Sequence, residues 1–342
     1  MIEIVKNVKE EEWNSFLNNC GEATIYHTPE WKQFLEKTFG YKPEYLFAKD
    51  ESGNIVGFLP LFCIKSKLTG NRLCSVPFSH ICGPIGTKDA SKNLIEDAIR
   101  LYKNSNLNTL EIRGNVADER FVNLNSFSTY ILELSANPND VWPRLSKGSV
   151  RWAIKKAEKS GVTVETTRDI GDLKEFYEIN AMTKKGLGVP CHPWKFFKNM
   201  FDILGNSVSL YVPKYNGEII GGGVMVFFKD TVIYGYGASN PNYLNLQPYN
   251  AFIWKSIEDA CINGYNYYDF GRTSYSNTGL IDFKKRWGTV ETKLYYSNYP
   301  TKSNSLSENR ESTKYKLASR VIGEMPILMY KQFSSVVFQH FG

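Results

Sequence analysis

Toward its carboxyl end the chain reads Asp282-Phe283-Lys284-Lys285-Arg286-Trp287-Gly288, three cations set between aromatic residues. A lysine in such a run is ordinarily a solvated surface charge. Held in a dry site among those rings, its ammonium would suit attack of an amine on an ester or thioester, because that attack builds an oxyanion which a fixed cation stabilises by several kcal/mol. Lys284 is the first candidate, and Lys285 or Arg286 replaces it if the register differs. Upstream, Tyr268-Asp269-Phe270-Gly271-Arg272 closes a predicted strand, and ligand-facing groups collect at strand ends in open α/β sheets. Asp269 could take a proton from the attacking amine, directly or through water, and Arg272 could meet an anion; a structural ion pair between the two is the plain alternative. No persuasive Ser-His-Asp or Cys-His set is present, so direct transfer is expected rather than a covalent acyl-enzyme.

Other chemistry is less specific. Residues 151–159 form a predicted helix on which Arg151, Lys155, Lys156 and Lys159 recur at helical spacing. The pattern alone favours a solvated basic face, while Arg151 could hold a phosphate or carboxylate. Cys74, His80 and Cys82 lack a fourth ligand at sensible spacing, so buried thiols are expected and no metal site.

The elements that must position these residues come in two copies. Leu46–Leu61 and Leu210–Met225 share one strand, turn, strand phrase at an offset of 164 residues, and Ile95-Glu96-Asp97-Ala98 returns as Ile257-Glu258-Asp259-Ala260 at an offset of 162. Each later echo is a predicted helix leading to a short strand that ends in acid and arginine, the first of them Leu110–Gly114. Two matches in the same order indicate a duplicated α/β unit. Twin domains commonly meet along a ligand-binding cleft, and Lys284 is expected to point into it. Two domains are predicted, 1–145 and 146–300, followed by a linker and helical tail over 301–342. Gly221-Gly222-Gly223 falls within a predicted strand, which implies a bulge or a ligand lying on bare backbone.

Bulk composition is that of a globular chain: 342 residues, 42% hydrophobic and 14% aromatic, long enough for two cores. Six cysteines without a CxxC pair imply reduced thiols and a cytoplasmic protein. No signal peptide or run of about 20 apolar residues is seen, so no transmembrane segment is expected. The net charge of +6 suits an anionic partner such as a nucleotide, CoA, tRNA or acidic lipid surface. The tail from Tyr315 mixes apolar residues with Lys316, Arg320 and Lys331, which suits either docking on the protein or peripheral contact with a membrane.

Seven phrases in order carry a resemblance: HTPEW at 27–31, GNIVGFLPLF at 53–62, SVPFSHICGPIG at 75–86, RWAIKKAEKSGV at 151–162, GYGASN at 235–240, YDFGRT at 268–273 and DFKKRWG at 282–288. Together they resemble the FemAB-like acyltransferases, relatives of the GNAT superfamily with two GNAT-like domains in tandem. The resemblance implies an α/β (α+β) fold in which each domain is a mixed, largely antiparallel sheet flanked by helices. It implies transfer of an acyl or aminoacyl group from an activated donor, acyl-CoA or aminoacyl-tRNA, onto an amine of a cell-envelope precursor, with no permanently bound cofactor. Phe283 and Lys284 match the family's Phe-Lys pair, whose lysine stabilises the tetrahedral intermediate. Tyr236 and Asn250 are expected beside the acyl group and Trp287 among the substrate-binding residues, with Arg151 and Arg272 on anionic parts and His27 and Trp31 reaching the acceptor from the first domain. Two departures stand out. The phosphate loop of ordinary GNAT enzymes falls on NLQPYNA at 245–251, which keeps Gln247 but has no following glycines, and no heptad run supplies the coiled-coil arm of some members. A non-catalytic module that binds tRNA or an anionic polymer is the alternative of a different class.

Overall fold

Local signals place the first helices where the sequence suggests. Thr28 accepts from the Trp31 N–H at 3.2 Å and Pro29 opens the helix Pro29–Phe39, which Gly40 ends in a left-handed conformation. The computed structural model describes residues 2–300 and 313–341. The linker predicted from Thr301 lies, up to residue 312, outside the described residues.

The chain divides into two compact units at Ser126/Phe127 rather than at the expected 145/146. The shift has a packing cause. Ile131–Glu133 pair with Tyr267–Asp269, and Val141 and Leu145 join the core formed by Phe252, Tyr268 and Trp287, so residues 127–145 build the second unit. In the other direction, Tyr299 and its neighbours pair with Leu110–Ile112 in the first unit.

In the first unit, the hairpin Leu46–Lys49 and Ile55–Leu59 is covered by the helix Lys88–Lys103 through Ala90, Leu94 and Ala98. Arg72–Cys74 run parallel to Thr109–Glu111. The second unit repeats this plan. Thr163–Thr167, Val208–Tyr215, Gly221–Phe228 and Thr231–Ser239 pair antiparallel, and Thr231–Ile233 then run parallel to Tyr267–Asp269. The helix Pro248–Ile262 packs through Phe252, Ile253 and Ile257 against this sheet.

The three glycines of the second unit do not bare the backbone for a ligand. A Cβ on Gly222 would stand 2.7 Å from the Phe176 ring, and one on Gly223 would collide with Phe252. Two rings therefore press the sheet from opposite faces, and glycine is what lets them approach. The bulge foreseen there lies on the neighbouring strand: Val224 faces Tyr236 and Met225 faces Tyr234, which leaves Gly235 as the extra residue.

The tail helices Thr313–Glu324 and Ile327–Val337 dock on the second unit. Ser319 Oγ donates to the Gly188 carbonyl at 3.0 Å, Lys185 Nζ to that of Gly323 at 2.7 Å, and the Tyr330 hydroxyl to that of Val189 at 2.8 Å. All six cysteines are free thiols. Among the described residues, no helix is long and apolar enough to cross a membrane.

Candidate active site

The helix Thr278–Lys285 begins where Asn277 caps it, its side chain accepting from the Leu280 N–H at 3.2 Å. Phe283 and Trp287 anchor this segment: Phe283 packs 5.6 Å from Tyr249, and Trp287 lies 5.8 Å from Phe270. That anchoring turns Lys284 inward. Although it stands in a run of cations, it is 3% exposed, whereas Lys285 and Arg286 are exposed. The surface alternative for Lys284 is thereby removed.

Its ammonium donates to the Gly271 carbonyl at 2.6 Å and lies 5.8 Å from the centre of the Tyr130 ring. Burial pulls its pKa down to about 8, against the opposing charge of Asp269. Asp269 is itself 6% exposed, and its Oδ1 accepts from the Thr129 hydroxyl and, at 2.8 Å, from the Gly271 N–H. Gly271 adopts φ +71°, a left-handed turn that presents its N–H to the acid and its carbonyl to the lysine. The constellation sits where the parallel pairing of Thr231–Ile233 with Tyr267–Asp269 ends. Beyond that point the strand Thr231–Ser239 continues without this neighbour, and its bulge sends Tyr234 and Tyr236 to opposite faces. Tyr234 hydrogen-bonds Tyr249, whereas Tyr236 packs among His192, Phe196 and Phe197. Burial raises the pKa of both Tyr234 and Tyr236, so both phenols stay protonated at neutral pH.

The structure brings Lys284 and Asp269 together around Gly271, with Phe283 next to the lysine in the chain, and distributes the rest. Trp287 is a core residue, 0% exposed, against Phe270 and Phe283. Asn250 stands in the first turn of its helix, where its backbone N–H donates to the Gln247 carbonyl at 3.1 Å. Arg272 is exposed and lays its guanidinium 4.5 Å from the centre of the Phe127 ring. Arg151 closes the π-helical turn Lys147–Arg151, and its buried Nε has no partner among the described residues. His27 and Trp31 are interior residues of the first unit, 1% and 2% exposed. The His27 Nδ1 accepts from the Thr24 N–H at 3.1 Å and its Nε2 donates to the Gly83 carbonyl at 3.2 Å, a fixed tautomer whose role is structural. Sequence reasoning missed Thr129, Tyr234 and Tyr249, whose residue types are ordinary in sheets and helices and whose meeting depends on tertiary pairing.

The helix that would carry a CoA phosphate loop gives little to a phosphate. Pro248 at its first position has no N–H, and those of Asn250 and Ala251 already donate to the Gln247 carbonyl. Among the described residues, only the Tyr249 N–H is left of the set that usually cradles an anion at a helix start.

Residues 146–285 match the acetyltransferase (GNAT) domain family, so the second unit carries a GNAT domain and the protein is an acyltransferase of that fold. The FemAB-like resemblance is met in fold along nearly the whole chain. FemX superposes with a TM-score of 0.69 at 16% identity, covering 94% of this chain and 100% of FemX. L-PGS from Bacillus licheniformis gives 0.58 at 14% identity over 94% of this chain and 100% of its own. A tandem GNAT protein from the clavulanic acid biosynthesis pathway gives 0.54 at 10% identity, over 89% and 100%. A comparison with curated protein sequences gives no match.

Proposed function

We propose that the protein transfers an acyl or aminoacyl group directly from an activated donor onto an amine of a cell-envelope precursor, an amino sugar or peptide, with Lys284 as the electrostatic catalyst. The observation that carries this is a buried ammonium with, among the described residues, one hydrogen bond, to the Gly271 carbonyl, at the end of a parallel strand pair. The amine attacks the carbonyl carbon, the carbonyl electrons move to oxygen, and the Lys284 ammonium donates to that oxyanion in a water-poor site. Collapse restores the carbonyl and expels the hydroxyl or thiol of the donor. The amine proton passes to Asp269, directly or through water, and from Asp269 to the departing oxygen or sulfur, which leaves as the hydroxyl or thiol and returns Asp269 to its carboxylate form. In the resting arrangement Asp269 has a second effect, since its charge favours the protonated form of Lys284.

For the donor, the near absence of backbone donors at the start of Pro248–Ile262 supports aminoacyl-tRNA over acyl-CoA. A basic stretch of Arg144, Lys147, Arg151, Lys155 and Lys156 agrees, and a bond from the Ser146 N–H to the Arg286 carbonyl sets it beside the lysine-bearing helix. Offering radiolabelled aminoacyl-tRNA and acyl-CoA side by side tests this. Transfer from the tRNA ester alone is expected, and efficient turnover of the thioester alone would reject it.

A second reading concerns where the acceptor is met. The tail docks through Tyr330 and Ser334 but exposes Leu317, Val321, Leu328, Met329 and Val336, and Arg320 of the same segment is exposed as well. This face suits peripheral contact with an anionic bilayer. Sedimentation with vesicles rich in phosphatidylglycerol should carry down the full chain, and Leu328→Ser/Met329→Ser should stay in solution.

A further inference from the structure

The side of the second unit's sheet that faces Ile170–Gly186 holds polar groups that the transfer step leaves unused. Asn180 is 1% exposed, and among the described residues neither its amide nitrogen nor its amide oxygen has a hydrogen-bond partner. An unmade bond of this kind costs about 1–3 kcal/mol. One helical turn later, on the same helix face, comes Lys184. Among the described residues no hydrogen bond or ion pair reaches its ammonium, and burial lowers its pKa. Its charge also adds to the effect of burial in holding the His192 imidazole neutral. The His192 ring lies 4.7 Å from that of Tyr236 and 4.1 Å from that of Phe338, so the tail forms one wall. Thr183, between the two unused groups, donates to the Ile179 carbonyl at 2.9 Å and reaches that of Ser239 at 3.3 Å, which fixes this helix face against the strand.

A partly buried cation without a carboxylate, beside an amide with both ends unused, lacks only a negative partner. We propose that Asn180, Lys184 and Tyr236 form an anion-binding site that receives a carboxylate or phosphate group of the acceptor. That the anion belongs to the acceptor rests on the transferase reading; the existence of the site does not. Tyr236 belongs to it because the bulge at Gly235 turns it to this side, while Tyr234 faces Tyr249 on the other.

The test uses the full chain, titrated with inorganic phosphate and, separately, with N-acetylglycine, and followed by thermal unfolding and amide NMR shifts. At least one anion should raise the melting temperature and shift amides of residues 180–192, and the one that binds identifies the group. Lys184→Met should weaken that binding at least tenfold. Asn180→Leu should weaken it several-fold while melting no lower than the parent, because it removes an unsatisfied amide. Lys184→Gln, a milder change, should repeat the loss if Lys184→Met folds poorly. Lys284→Ala should bind the anion as the parent does, so that loss of transfer and loss of the site are read separately. Failure of both anions to bind, or unchanged affinity in Lys184→Gln, overturns the proposal.

Discussion

Both units bury one cation near the acid of their echoed strand, Arg113 with Glu111 and Lys284 with Asp269, and the surroundings give the two cations opposite characters. Arg113 is 7% exposed; it pairs with Glu111 at 3.1 Å and donates to the carbonyls of Val76 and Ser79 at 3.0 and 2.8 Å. Burial would lower its pKa, but Glu111 and its other neighbours more than offset that and raise it. Lys284 meets the same opposition, and there burial wins, leaving a pKa of about 8. A cation whose hydrogen bonds are complete holds a loop in place. One that is short of negative charge is suited to a charge that exists only during reaction. The duplicated fold thus separates a structural cation from the one proposed for the chemistry.

Exchanging the two effects is the most direct way to break that comparison. Lys284→Ala should lower kcat by about 10²–10³-fold in steady-state assays, with the fold intact by circular dichroism; unchanged turnover would abolish the contrast. Arg113→Met should do the reverse, costing about 2–3 kcal/mol in denaturant unfolding by leaving two buried carbonyls unpaired, with kcat of the folded fraction unchanged. Gly223→Ala, which drives a methyl into Phe252, should cost about 1–3 kcal/mol.

The smallest effects sharpen the comparison through pH. The transfer rate should fall as pH rises through about 8, because only protonated Lys284 stabilises an oxyanion. Asp269→Asn, which removes the charge that supports that proton, should move the fall to lower pH. The first unit should respond at the acid end. Burial holds the His27 pKa near 4, below its ordinary value of 6.5, so its contribution to stability is complete above pH 6.5 and is lost as pH falls toward 4. Melting curves across that range, with His27→Gln for comparison, check the sign.

The repeated hairpin, the helix leading to each acidic strand, and Lys284 beside Phe283 are all legible in the sequence, because glycine turns, caps and short motifs are local. The division at residue 126 is not, since it depends on Ile131–Glu133 pairing with Tyr267–Asp269 across more than a hundred residues. Thr129 and Tyr249 are hidden for the same reason. Trp287 and Trp31 show the opposite difficulty: a large aromatic residue in a suggestive motif serves the core as readily as a substrate, and only its surroundings distinguish the two.

The extra glycine at position 235 has one more consequence. Were Gly235 held in the regular ladder, alternate residues would show the same side, and Tyr234 and Tyr236 would lie on one face of the sheet. The bulge instead lets near neighbours in sequence serve two faces of one sheet, Tyr234 against Tyr249 and Tyr236 against His192, Phe196 and Phe197. Deleting that glycine would make the two tyrosines consecutive, which a regular strand also turns to opposite sides, so the pairing from Tyr236 to Ser239 should survive the deletion, whereas an inserted second residue would turn that stretch over.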